Sequence, residues 1–122
     1  MKDVLNHIFD KWHPTGSHYI CNPPVTDTDI DFICFTNDIG QTLEMLVNGG
    51  WNHTNLDDVD KYRGMEKEFL TFRRDNYNLI VTEIKSFYDS FVYATEEAKK
   101  QNILDKQKRI HLFRYFLYGE MP

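Results

Sequence analysis

The chain of 122 residues lacks the features that mark disulfide-bonded, zinc-binding, secreted and membrane-spanning proteins. It has two cysteines, Cys21 and Cys34, without the paired Cys-x-x-Cys spacing of zinc or redox sites, and we expect both to be free thiols. No apolar run approaches the ~20 residues that cross a bilayer, and no charged leader with an apolar stretch opens the chain. We therefore expect a soluble, cytoplasmic protein without a membrane partner.

Positive charge is also scarce over the chain as a whole. The chain has 14 Lys and Arg against 19 Asp and Glu, a net charge of −5, which disfavours broad coating of a nucleic acid but leaves a local basic patch open. A hydrophobic content of 41% is enough for one compact core, and we expect a single domain over residues 1–122. The basic residues cluster near the C-terminus: Lys99, Lys100, Lys106, Lys108, Arg109 and Arg114.

Apolar periodicity in the first half of the chain predicts a helix, a strand and a second helix. Apolar residues at helical spacing predict an amphipathic helix over residues 1–12. A nearly continuous apolar run predicts a central strand over residues 29–35, covered on both faces. A helix over about residues 38–48 follows, which we expect Thr36 or Asn37 to cap and a Gly-Gly pair to end.

The second half predicts a loop, a hairpin and two more helices. Residues 51–63 are polar and acidic without a period, and we expect a long loop there. Strand-forming runs over 68–73 and 78–84, separated by turn-forming residues, predict an antiparallel hairpin. Apolar residues over 87–98 and 103–117 mark two helices, the second ending at a glycine. This order predicts an α+β fold, with a small mixed sheet and helices packed mainly on one side.

Two acidic residues on the predicted central strand point to chemistry. Asp29 and Asp31 are two positions apart, so on a strand both carboxylates leave the same face with their backbone positions about 6 to 7 Å apart. Oxygen ligands of this kind suit Mg²⁺ or Mn²⁺, and such a cation neutralises triphosphate oxygens and activates an attacking hydroxyl. The spacing therefore favours phosphoryl or nucleotidyl transfer. The alternative is a chance Asp-x-Asp at a solvated strand end.

A second motif lies upstream of these acids. Gly16-Ser17 precedes Asp29-Ile30-Asp31-Phe32 with eleven residues between them. This pattern resembles that of the DNA polymerase β-like nucleotidyltransferases, which carry a Gly-Ser or Gly-Gly turn, a similar spacer, and an acid-apolar-acid-apolar strand. The resemblance implies a minimal nucleotidyltransferase-like fold, a triphosphate bound at Gly16 and Ser17, and a Mg²⁺ or Mn²⁺ ion held by Asp29 and Asp31.

The later part of the chain carries a looser likeness. Residues 72–82, 94–95 and 106–119 resemble small phage-encoded proteins of the nucleotidyltransferase-like class, and the likeness spans most of residues 13–119. If the chain is phage-encoded, we expect it in the host cytoplasm. The resemblance thus adds a host protein to the candidate partners.

The pattern departs from the family at the third carboxylate. Nucleotidyltransferases usually place this acid on a later strand as base and metal ligand, but the chain has Asn78 where that acid aligns. A neutral amide neither takes a proton nor binds a hard cation comparably. Glu83 is the candidate substitute. On a regular strand Glu83 and Asn78 point to opposite faces, so Glu83 serves only if the strand has ended or bulged.

Basic residues near the predicted hairpin and on the last predicted helix are candidates for binding the nucleotide. Arg73, Arg74 and Lys85 flank the hairpin, Lys106 and Arg109 lie on the helix, and any of them could neutralise a triphosphate. The alternative for all of them is ordinary solvated surface. The candidate catalytic residues are Asp29, Asp31 and Glu83.

Three functions remain open. The first is a metal-dependent nucleotidyltransferase that moves NMP from NTP to a hydroxyl of RNA, a protein or a small molecule. The second, motivated by Asn78 and by the negative charge, is a catalytically inactive nucleotidyltransferase-like phage protein that binds or inhibits a host protein. The third is a nucleotide sensor, or a domain paired with another chain that supplies the missing groups.

Overall fold

A computed structural model of the chain describes residues 1–25, 29–54 and 69–119. These residues form a five-stranded mixed sheet with the strand order β1-β2-β5-β4-β3. Strands β2 and β5 are parallel, and the other neighbouring pairs are antiparallel. The α+β class is therefore confirmed. In chain order the elements are α1 (Lys2–Ile8), β1 (Lys11–Thr15), α2 (Gly16–Ile20), β2 (Ile30–Phe35), α3 (Ile39–Asn48), β3 (Asn52–Thr54), β4 (Leu70–Arg74), β5 (Tyr77–Thr82), α4 (Lys85–Lys100) and α5 (Lys106–Tyr118).

Helices cover both faces of the sheet, the larger share lying on one. Because side chains alternate along a strand, Ile33 and Phe35 of β2 enter one core, and Phe32 and Cys34 enter the other. The first core is completed by α2 and the two longest helices, α4 and α5. Helices α1 and α3 complete the second. The face under α2, α4 and α5 carries the candidate site.

The predicted helix over residues 1–12 is wrong beyond Ile8. Residues 11–15 form β1, an edge strand paired antiparallel with β2. Proline is tolerated in an edge strand because its missing N–H leaves no ladder bond unmade. Trp12 fits a helical stripe and a strand equally well, and here its ring packs edge-on against Phe32. The five-residue helix α2 was not predicted, because one turn is too short to show a period.

Helix α3 confirms the prediction over 38–48 but has a different cap. The Asp38 carboxylate accepts a hydrogen bond from the Gln41 N–H at 3.1 Å. Thr36, predicted as the cap, is buried, and its hydroxyl bonds the Thr42 hydroxyl at 2.7 Å. The helix ends at Gly49, within the predicted Gly-Gly pair.

The predicted hairpin is confirmed as β4 and β5, joined through Asp75 and Asn76. Asp75 takes a positive φ of 55°, which suits aspartate in a tight turn. The predicted loop over 51–63 contains β3, which extends the sheet beside β4, and residues 55–63 lie outside the described ranges. Glu68, the first residue of the predicted first strand, lies outside them as well.

The two C-terminal helices are confirmed, and Gly119 ends the second at a left-handed φ of 70°. Cys21 and Cys34 are both free and buried. Burial raises the pKa of the Cys34 thiol well above its ordinary value. Within residues 1–25, 29–54 and 69–119, no helix has the length and apolar content that crossing a membrane requires. A single domain over residues 1–122 stays a prediction.

Candidate functional site

A row of four polar side chains crosses the sheet at one end. In register, Thr15 of β1 lies beside Asp31 of β2, Asp31 beside Asn78 of β5, and Asn78 beside Arg73 of β4. Neighbouring strands lie about 4.8 Å apart, and residues paired in register share a face. Side by side under α5, the row therefore presents the buried polar groups of Thr15 and Asn78, the carboxylate of Asp31 and the guanidinium of Arg73.

These side chains line a cavity of about 240 Å³ between the sheet and the helices α2 and α5. Most of the residues predicted for catalysis or nucleotide binding meet there: Gly16, Ser17, Asp29, Asp31, Arg73, Lys106 and Arg109. The remaining lining residues are Thr15, Ile20, Thr71, Asn78, Ile80, Ile110 and Phe113. Residues distant in sequence thus form one polar cavity with an apolar inner wall.

Gly16 is required by the close approach of Asp31. Its φ is +77°, a backbone conformation that L side chains rarely adopt. A Cβ at this position would overlap the Asp31 carboxylate, standing 2.9 Å from its Cγ and 3.0 Å from its Cβ. The glycine therefore lets the start of α2 lie directly against the acid.

Three contacts hold α2 and the end of β1 on α4. The Thr15 and Thr95 hydroxyls share a buried hydrogen bond of 2.7 Å. The Tyr19 hydroxyl donates to Glu96 at 2.7 Å, and the Lys99 ammonium donates to the Tyr19 carbonyl at 2.8 Å. Burial, with the Glu96 contact second, raises the pKa of Tyr19 to about 12. The Gly-Ser turn is therefore fixed by the longest helix.

Asp29 and Arg73 form an ion pair at the mouth of the cavity. The Nη1 atom of Arg73 lies 2.6 Å from Oδ2 of Asp29, and the two side chains are 39% and 35% exposed. Arg73 lies on β4 and Asp29 immediately precedes β2, so the guanidinium reaches across the start of β5. Exposed ion pairs contribute about 0 to 1 kcal/mol, so a stronger ligand can compete for this contact.

Asn78 places an unsatisfied oxygen in the cavity. The residue is 7% exposed, and its Oδ1 has no hydrogen-bond partner among the described residues. A buried polar atom without a partner costs about 1 to 3 kcal/mol, so this oxygen is open to a water, a cation or a donor group of a ligand. Asn78 is also the register neighbour of Asp31, where the resemblance places a third carboxylate.

One face of α5 closes the cavity. Counted from Lys106, the residues three, four and seven positions on share its face of the helix. All four line the cavity: Lys106, Arg109, Ile110 and Phe113. Arg109 Nη1 donates to the Ile103 carbonyl at 3.0 Å and to the Leu104 carbonyl at 2.7 Å. Arg109 is therefore held by the loop before α5 and adds a fixed positive charge. The sequence predicts Arg109 together with Lys106. Arg74 and Lys85, predicted with them, do not line the cavity: Arg74 donates to the Gly49 carbonyl and Lys85 pairs with Asp89.

Glu83 lies away from the cavity. It is exposed and follows Thr82, the last residue of β5, whereas Asn78 lies at the start of that strand. Five residues of strand span about 16 Å. Because β2 and β5 are parallel, Glu83 lies beyond the end of the sheet opposite Asp31. The structure therefore does not bring Glu83 to the two acids, and this geometry does not support its predicted catalytic role.

The oxygen atoms of the cavity suit a hard cation that is completed by a ligand. Among the described residues, no group of three or more His, Cys, Asp and Glu side chains could hold a metal ion. Mg²⁺, however, is commonly bound by one or two carboxylates together with substrate phosphates. Asp29, Asp31 and the unsatisfied Asn78 oxygen would fit such a shared site.

The comparisons with known proteins add little to this geometry. No protein-family model matches the chain, and no match is found among curated proteins. Among solved structures, the chain is similar to the crystal structure of the conserved protein GrpB from Enterococcus faecalis, at 10% identity and a TM-score of 0.49. The alignment covers 98% of this chain and 88% of that one. At these values, nothing about the site or the activity of this chain follows from the similarity.

Proposed function

We propose that this chain is a metal-dependent nucleotidyltransferase that moves NMP from NTP to a hydroxyl of RNA, a protein or a small molecule. The observation that carries the proposal is the convergence of the Gly16-Ser17 turn and of both acids on one cavity, with three basic side chains around it. The sequence pattern predicts that Gly16-Ser17 and the two acids lie together, and the packing of β4 and α5 adds the basic side chains.

In this proposal, the residues on each side of the cavity bind a different part of the metal–nucleotide complex. Asp29 and Asp31 hold the metal ion, with the Asn78 oxygen as a further ligand. The bound Mg²⁺ or Mn²⁺ neutralises triphosphate oxygens and polarises the phosphoryl group. Lys106 and Arg109 attract the triphosphate from the α5 side, and the Ser17 hydroxyl donates to one of its oxygens.

Asn78 limits the rate that this site can reach. A general base removes the proton of the attacking hydroxyl in the transition state and contributes about 10²- to 10⁴-fold. The amide of Asn78 cannot accept that proton. We therefore expect transfer to be slower by about this factor than in a site with a third carboxylate, unless the acceptor or a partner brings a base.

The second candidate function is a nucleotidyltransferase-like protein that has lost turnover and acts by binding a host protein. Two observations favour it: the amide at position 78, and the ion pair that engages Asp29 with Arg73. In this alternative the acids serve the fold or the partner, and the cavity needs no nucleotide.

Label transfer separates the two candidates. Purified protein is incubated with each α-labelled NTP, Mg²⁺ or Mn²⁺, and RNA, protein or the chain itself as acceptor. The proposal predicts label transfer by the wild type and none by Asp29→Asn/Asp31→Asn. A folded wild type that moves no label with any nucleotide, and that no nucleotide stabilises, contradicts the proposal and favours the binding protein.

A further inference from the structure

We propose that Arg73 determines which ligands this site accepts, by making metal binding depend on phosphate. Its guanidinium pairs with the Asp29 carboxylate until a phosphate group binds the guanidinium instead. The site then binds a metal ion more tightly together with a phosphate ligand than alone. This inference rests on the proposed function, since it concerns the same two acids.

The first argument is competition for one carboxylate. Nη1 of Arg73 lies 2.6 Å from Oδ2 of Asp29, so a metal ion at that oxygen has to replace the guanidinium. Both side chains are more than a third exposed, and exposed ion pairs are weak. A strong ligand for the guanidinium can therefore compete with Asp29 for it.

The second argument is the chemistry of arginine. A guanidinium binds phosphate oxygens through two parallel hydrogen bonds, and a phosphate offers more oxygens than a single carboxylate. Arg73 already lines the cavity that Lys106 and Arg109 make basic. A phosphate in this cavity thus lies next to Arg73.

The third argument is the charge of the cavity. Among the described residues, its lining contains three cationic side chains, Arg73, Lys106 and Arg109, and two anionic ones, Asp29 and Asp31. The three cationic side chains repel a divalent cation that enters alone. A phosphate reverses this balance, so the anion promotes binding of the cation.

The acids are accompanied by an independent sign of a ligand. Asn78 is more than nine-tenths buried, lines the cavity, and leaves its Oδ1 without a partner among the described residues. In the sheet register it lies between Asp31 and Arg73. The Asn78 oxygen therefore lies between the acid and the arginine, where it can bind a cation.

Binding of Mn²⁺ to the full chain tests this inference, with pyrophosphate as the phosphate probe. Free Mn²⁺ is followed by electron paramagnetic resonance, after correction for the Mn²⁺ that pyrophosphate chelates by itself. In the wild type, pyrophosphate is expected to strengthen Mn²⁺ binding about tenfold, within the usual range of coupling between two ligands. Arg73→Gln is expected to bind Mn²⁺ alone more tightly than the wild type and to bind pyrophosphate more weakly.

Arg74→Gln is the matched control. Arg74 is the next residue of β4, but it points to the other face, where it donates to the Gly49 carbonyl at 2.9 Å and stacks on Trp51. It is expected to behave like the wild type in both titrations. Arg73→Lys keeps the positive charge but lacks the two parallel hydrogen bonds of a guanidinium. It is the second variant if Arg73→Gln does not fold, and its affinities for Mn²⁺ and for pyrophosphate are expected to lie between those of the wild type and Arg73→Gln.

Equal affinity of the wild type and Arg73→Gln for Mn²⁺ alone overturns the inference, even if NTP transfer is observed. Absence of transfer, with the pyrophosphate coupling intact, leaves the inference standing and contradicts the enzyme instead. Absence of Mn²⁺ binding in every variant, with and without pyrophosphate, contradicts both.

Discussion

Replacing Gly16 by alanine is the sharpest structural test of the site, because it adds one methyl group at its tightest contact. The new Cβ would stand 2.9 Å from the Asp31 Cγ and 3.0 Å from the Asp31 Cβ, so the acid or the α2 turn has to move. The glycine also takes a φ of +77°, which alanine adopts only with strain. Gly16→Ala therefore combines a backbone cost with a steric one.

The two costs can be estimated separately. A left-handed conformation costs an alanine about 1 to 2 kcal/mol. Forcing an extra methyl group into a packed contact costs about 1 to 3 kcal/mol more. Gly50 provides the control, since its φ is +82° and the nearest atom to an added Cβ, among the described residues, is Arg74 Cδ at 4.0 Å. Gly50→Ala should show the backbone cost alone.

Urea unfolding is the assay for both variants, compared where the dependence of the free energy of unfolding on urea concentration is the same. Gly16→Ala should lower the free energy of unfolding by about 1 to 3 kcal/mol more than Gly50→Ala does. Alanine also reduces the entropy of the unfolded chain, but this effect is common to both variants and cancels in the comparison. In an Asp31→Gly background the excess cost of Gly16→Ala should disappear. Equal destabilisation by the two alanines, or an excess that persists without Asp31, would refute the predicted contact.

Three further predictions follow from the same geometry. Asn78→Asp places a second carboxylate beside Asp31, so it should lower the urea midpoint with EDTA present and enlarge the stabilisation by Mn²⁺; an equal midpoint change with and without Mn²⁺ would contradict this. The pKa of Tyr19 is raised from its ordinary value of 10.0 to about 12, and that of Tyr88 likewise, both chiefly by burial. Because the unfolded phenols then lose their protons first, the two tyrosines should lower the free energy of unfolding between about pH 10 and 12, in addition to the fall that the buried Cys34 thiol starts near its ordinary pKa of 9.0. Tyr19→Phe should reduce the slope between pH 10 and 12, and an unchanged slope there would count against the Tyr19 shift. Glu83→Gln should leave the affinity for NTP with Mg²⁺ unchanged in calorimetry, and a marked loss would show that Glu83 reaches the site after all.

The candidate site was predictable where its residues are local in sequence. The spacing of Asp29 and Asp31 on a strand indicates the two acids, and the resemblance to the polymerase β-like pattern adds the glycine and the serine. Arg73 and Lys106 were named only for their charge and position near a turn and a helix. Their place in the cavity depends on how β4 and α5 pack, which no local pattern determines.

The errors arise where the local pattern fits two structures. Trp12 belongs equally to a helical stripe and to an alternating strand, and the pairing of β1 with β2 decides between them. Glu83 was considered as a substitute acid from its distance along one strand. The parallel pairing of β2 and β5 brings their starts together, so the far end of β5 is excluded from the site.

The account depends on one claim, that the cavity binds a nucleotide through Asp29 and Asp31 with a metal ion. The most direct measurement is the melting temperature of the wild type and of Asp31→Asn, each with NTP, with Mg²⁺, and with both. The account predicts that NTP and Mg²⁺ together raise the melting temperature of the wild type, and that Asp31→Asn folds but loses this rise. The same rise in both proteins, or none in the wild type with any NTP, would contradict it.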